Sequence, residues 1–164
     1  MDILSVILIA VGLDLIGKIN PEVVYVLFAY PAAFLASLFL GSHLVFTQGQ
    51  ITIPLLNHSI NVIPSCSGYG FFCLLYAMIA TYIFRLSNKS KVILYSLVAI
   101  PIAYCLTIIT NGCRIICAYQ ANEIAKFIFP SNFNAAIHQG VGIFLFLTVL
   151  MGISLVLERK FCHD

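Results

Sequence analysis

Charge is what this sequence has least of. Only 9% of its 164 residues are Asp, Glu, Lys or Arg, against 62% hydrophobic, and the mean hydropathy is +1.06. A soluble domain clothes its surface in polar groups, so this balance excludes one and leaves a single integral membrane domain over residues 1–164. Trp is absent, which leaves Tyr and Phe to form any belt at the membrane interface. No basic leader precedes Ile3 and no small-residue cleavage pattern follows Leu13, so the first apolar run is expected to be a retained span and not a signal peptide. Neither Cys-x-x-Cys nor His-x-x-x-His occurs, and no metal or cofactor is expected.

What is present is a series of apolar runs with clear punctuation. Ile3 to Ile16 ends in Asp14 and Lys18, spaced to pair at the membrane boundary. After Asn20-Pro21 comes Glu22 to Leu40, with Pro31 as an internal kink. Leu44 to Ile63 is too polar to span, yet Ile51, Ile53 and Leu55 alternate, Asn57-His58-Ser59 supplies a turn, and Ile60 and Val62 resume. That pattern predicts a β-hairpin on the membrane surface. Gly68 to Phe84 spans next and ends in the basic stretch Arg85 to Lys91; Val92 to about Cys117 returns, with Pro101 inside it. Tyr119 to Phe129 has helical spacing and predicts a short interfacial helix, broken at Pro130. Asn134 then caps a last span, Ala135 to Leu157. The expected fold is all-α and polytopic, with about five transmembrane helices, an extracytoplasmic hairpin-like loop and one interfacial helix.

Laid out this way, Lys18, Arg85, Lys89, Lys91, Arg159 and Lys160 fall on one side of the membrane, and only Arg114 and Lys126 on the other. By the positive-inside rule the first side is cytoplasmic, which puts the hairpin, Cys66, Arg114 and His138 on the extracytoplasmic side, and the cell's inner, plasma membrane is the expected location. The cations are topology determinants, and nucleic acid is not implied. The partner that composition guarantees is the lipid bilayer; nothing in the sequence sets an oligomeric state.

Cys73, Cys105, Cys113 and Cys117 sit inside apolar runs, where cysteine serves as a small packing residue, and Cys162 lies in a polar tail. Cys66 differs. In Pro64-Ser65-Cys66-Ser67-Gly68 it falls in the first turn of a span, among orphan N–H groups at the positive end of a helix dipole, a setting that suits a nucleophilic sulfur. Arg114 follows Asn111 at i,i+3, on one helix face, with Gly112 between them allowing a neighbour close. A central membrane Arg costs about 2.5 to 3.5 kcal/mol, so Arg114 either snorkels to headgroups or has a partner and a task. His138 lies one turn into the last span, with Gly142 one turn further leaving room beside it; His43 and His58 are rivals on the same side. Together these residues hold the parts for acyl transfer. Cys66 attacks a carbonyl, His138 moves the proton, and Arg114, held in line by Asn111, stabilises an oxyanion or binds a substrate carboxylate.

In order and setting, Ser65-Cys66-Ser67-Gly68, Asn111-Gly112-Cys113-Arg114 and the stretch from His138 to Gly142 resemble the motifs of the exosortase/archaeosortase family, over roughly Leu44 to Leu157. Ser65 departs from the Ala usual before the family's Cys, and the short chain suggests a small subtype such as the exosortase K group. The resemblance implies a membrane cysteine protease or transpeptidase, with Cys66 as nucleophile and Arg114 and His138 as its catalytic partners. It implies substrates that are membrane-anchored proteins ending in a sorting signal: a short motif, a transmembrane helix and a basic tail.

Two other classes compete. A membrane thiol-disulfide oxidoreductase would exchange Cys66 with Cys73, Cys113 or Cys117. A non-catalytic scaffold would use Arg114 and His138 on lipid headgroups, leaving Cys66 idle.

Overall fold

Proline shapes the first long helix twice. Pro21, with its N–H missing and φ preset, opens α1 (Pro21–Phe39), where no helical bond is lost. Pro31 lies inside the same helix and leaves the Leu27 carbonyl without its i+4 donor; the Tyr104 hydroxyl donates to that oxygen at 2.7 Å. In the computed structural model, residues 11–13, 15, 17–47, 49–55, 59–86, 92–126 and 134–161 are described. Most of the first apolar run, Asp14 of the expected ion pair, Asn57-His58, Ser87 to Lys91, the Pro130 break and Cys162 lie outside them.

After α1 come β1 (Val45–Thr47), β2 (Gln50–Pro54) and β3 (Ser59–Val62), a 3-10 turn (Pro64–Cys66), then α2 (Tyr69–Leu86), α3 (Val92–Ala125) and α4 (Asn134–Phe161). The strands form one antiparallel sheet in the order β1-β2-β3. The expected hairpin is present as β2 and β3, with Ile53 opposite Ile60, and it gains β1 as a further strand through a turn in which Gly49 takes φ +77.

α3 is the central helix and packs on each of the other three. Its contact with α1 is made by small residues: Ala29, Ala32, Ala33 and Ala36 recur at helical spacing and are fully buried. The close approach they allow brings Gly112 so near that a Cβ there would lie 3.2 Å from the Ala32 carbonyl oxygen. Aromatic rings fill the next layer, with Phe28 against Tyr69, Phe72 and Tyr104, each at 5.2 Å between centroids.

The outer surface is apolar. Ile143, Phe144, Leu147 and Met151 on α4, with Val23, Phe34 and Leu38 on α1, are exposed, as lipid-facing residues are. The helical stretches Pro21–Phe39, Tyr95–Ala125 and Ala136–Arg159 are each long and apolar enough to cross a membrane, and Tyr69–Ile83 is a shorter apolar helix. The chain is thus an all-α membrane protein with a small sheet.

One expected element is corrected. The interfacial helix foreseen from Tyr119 is not separate, because residues through Ala125 continue α3 without a break. At 1.5 Å per residue its 34 residues reach roughly 50 Å, well beyond the ~30 Å of hydrocarbon, so the amphipathic end of the sequence is the part that leaves the membrane. Glu123 and Lys126 there form an exposed i,i+3 ion pair.

Candidate active site

The motif around Cys66 works as a corner. Pro64 starts a 3-10 turn in which the Cys66 N–H donates to Ile63 O at 2.8 Å and the Ser67 N–H to Pro64 O at 3.1 Å. Gly68 then takes φ +76, and its carbonyl accepts the helical bond from the Phe72 N–H at 3.0 Å, which starts α2. The Ser67 hydroxyl accepts from the Tyr69 N–H at 3.4 Å, a side-chain cap on that end. Cys66 therefore precedes the membrane helix and does not stand in its first turn. Ser65 contributes its backbone to the same turn. A Cβ on Gly68 would be strained by its φ and would stand 3.1 Å from the Asn111 side chain.

α3 supplies the support. Asn111 is fully buried, and its Nδ2 donates to the Cys66 carbonyl at 2.6 Å. The i,i+3 spacing predicts that Asn111 aligns Arg114; the amide instead pins the backbone of the cysteine. Its Oδ1 is buried with no hydrogen-bond partner among the described residues.

α4 brings the histidine. His138 Nε2 lies 3.1 Å from Cys66 Sγ, a contact between residues far apart in sequence, within reach for a proton to pass between sulfur and nitrogen. Cys66 is 4% exposed. One turn beyond His138, Gly142 lies against Arg114: a Cβ there would fall 2.4 Å from Arg114 Nε. Arg114, 9% exposed, also rests over the Phe146 ring with Cζ 5.3 Å from its centroid, and Phe146 stacks on Phe71 at 4.3 Å. Arg114 is within electrostatic reach of His138. Its Nε is buried without a partner among the described residues.

Cys66 and His138 open together onto a cleft of about 320 Å³. One wall is β3, the other the last turns of α3 from Ile115, with Lys126 just beyond them. Of the rival histidines, His43 is exposed ahead of β1 and lines no part of the cleft, and His58 lies outside the described residues. So the folded chain gathers Cys66, Asn111, Arg114, His138, Gly68 and Gly142 in one place. Sequence reasoning missed Phe146, one apolar residue among many in its span, and nothing in the sequence marks it as the ring beneath the guanidinium.

A thiol in contact with an imidazole, beside a buried guanidinium, can do nucleophilic acyl chemistry. The sequence model of the transmembrane exosortase family matches residues 32–155, a stretch that contains every residue of this site. No curated protein and no solved structure matches the chain.

Proposed function

The chain belongs to the transmembrane exosortase family, and from that premise we propose that it is a cysteine protease or transpeptidase that cuts the C-terminal sorting signal of exported membrane-anchored proteins. The observation that carries this reading is the Cys66 Sγ to His138 Nε2 contact of 3.1 Å in the lining of a cleft.

In the reaction, Cys66 Sγ bonds to the scissile carbonyl carbon while His138 Nε2 takes the thiol proton. Arg114, seated against Gly142 one turn from His138, is assigned the negative charge that gathers on sulfur and then on the carbonyl oxygen. Collapse breaks the C–N bond, His138 returns the proton to the departing amine, and a thioester remains on Cys66. Water or an amine then attacks that thioester, His138 takes its proton, and the free thiol is restored. Hydrolysis and transfer differ only in this acceptor. Asn111 holds the nucleophile's backbone through the cycle. The reading also sets the site on the extracytoplasmic face of the plasma membrane, where the motif of a substrate with a cytoplasmic basic tail emerges.

Co-expression with reporters that carry a short motif, an apolar span and a basic tail tests this on a gel. Wild type is expected to shorten a reporter, and Cys66→Ala, His138→Ala and Arg114→Ala are expected to leave it whole. A joint Cys73→Ser, Cys113→Ser and Cys117→Ser variant should still cut; its failure would favour the oxidoreductase. Cleavage surviving in Cys66→Ala would remove the thiol from the mechanism.

A further inference from the structure

All four residues of β3, Ser59 to Val62, line the cleft that holds Cys66 and His138. β3 is also an outer strand: one side pairs with β2, and the other meets no strand among the described residues. Tyr25 reveals which backbone groups lie on that outer side. Its hydroxyl donates to the Val62 carbonyl and accepts from the Ile51 N–H at 3.1 Å, so the opposed residues Ile51 and Val62 turn their amide groups toward one another. Along an antiparallel pair the direction alternates, which turns the groups of Ile60 inward and those of Asn61 and Ser59 outward, into the cleft. Pro54 agrees with this register, since it stands opposite Ser59 and has no N–H to give a ladder. Across the cleft, Asn122 presents a buried Oδ1 with no partner among the described residues.

The cleft thus offers outward backbone donors and acceptors at every second residue of one wall, an unpaired side-chain acceptor on the other, and the thiol in the same lining. We propose that the residues flanking the scissile bond of the protein substrate add to this sheet as a fourth strand, hydrogen-bonded to the backbone of Ser59 and Asn61. This rests on the protease reading above. Strand addition delivers affinity through main-chain bonds and leaves side-chain choice to the walls, and it holds the substrate extended, with its carbonyls open to attack. It also gives a use to an edge that would otherwise invite unwanted pairing.

The test uses a library of reporters in which the segment before an apolar span and basic tail is varied. Asn61→Pro and Ser59→Pro each remove an outward N–H without touching the β2 ladder, and each is expected to lower kcat/KM roughly three- to tenfold. Disulfide capture gives a second reading that does not depend on those variants folding. With Cys66→Ala and Asn61→Cys combined, reporters carrying one cysteine at successive positions should be captured at alternate positions, the period of a paired strand. Capture without that period, or full turnover by both proline variants, overturns strand addition and leaves the protease standing. If no member of the library is cut in a manner that needs Cys66, the protease reading fails and strand addition falls with it.

Discussion

At Gly142 a single hydrogen atom stands where a methyl group would collide with a buried cation, its Cβ falling 2.4 Å from Arg114 Nε and 3.0 Å from Cζ. Sequence spacing marked this glycine as room beside His138, and the room turns out to belong to Arg114. Gly142→Ala should therefore push the guanidinium off its seat on Phe146. The expected result is at least a tenfold loss of reporter cleavage, with about 1–3 kcal/mol of overpacking cost in a detergent melt. Gly140 makes the comparison sharp, because nothing lies within 4 Å of a Cβ there and Gly140→Ala should behave as wild type. Equal cleavage by both variants would mean that the position of Arg114 does not matter. Residue types were legible before the fold: Cys66 stands apart from the cysteines of the apolar runs, and Arg114 and His138 are polar groups set into such runs. Their partners were not, since Asn111 reaches Cys66 and Tyr104 reaches Leu27 only through packing that joins distant stretches.

Among the elements, α3 is where sequence and structure part most clearly. The change after Cys117 from apolar to amphipathic reads as the end of one helix and the start of another, but no Pro or Gly stands between Cys117 and Ala125 to break the backbone. The composition marks the membrane boundary and leaves the helix intact. Continuity matters because the same rigid element holds Asn111 at the nucleophile and Asn122 at the far wall of the cleft. Gln120 is exposed, so Gln120→Pro alters little beyond the backbone. It should cost about 3 kcal/mol, read as a lower melting temperature and reduced accumulation in the membrane. Wild-type stability would show that the helix already ends there. The hairpin, by contrast, was visible as alternation at Ile51, Ile53, Ile60 and Val62; β1 escaped notice because Val45 to Thr47 is too short to alternate.

For the whole molecule, sidedness decides whether chemistry and substrate can meet. Tyr82 near the end of α2 donates to Glu158 near the end of α4 at 3.2 Å, which brings those two ends together away from the Cys66 corner at the other end of α2. Arg85 and Arg159 follow these two contacts in sequence, so the proposed topology sets this end of the bundle on the cytoplasmic side and the cleft on the other. The fold also limits which reagent can test this. Cys66 is nearly buried and touches His138, so a bulky maleimide should react slowly, whereas a small, charged methanethiosulfonate can enter the cleft. Added to intact cells, the small reagent is expected to stop reporter cleavage; sealed inside inverted vesicles with the outer face occluded, the same enzyme should be protected. A variant in which Cys105, Cys113 and Cys117, exposed on α3, are replaced by Ser should be stopped just as fully, which assigns the loss to Cys66. Inactivation from the cytoplasmic side alone would invert the topology, and a sorting motif emerging outside the cell could then never reach the thiol.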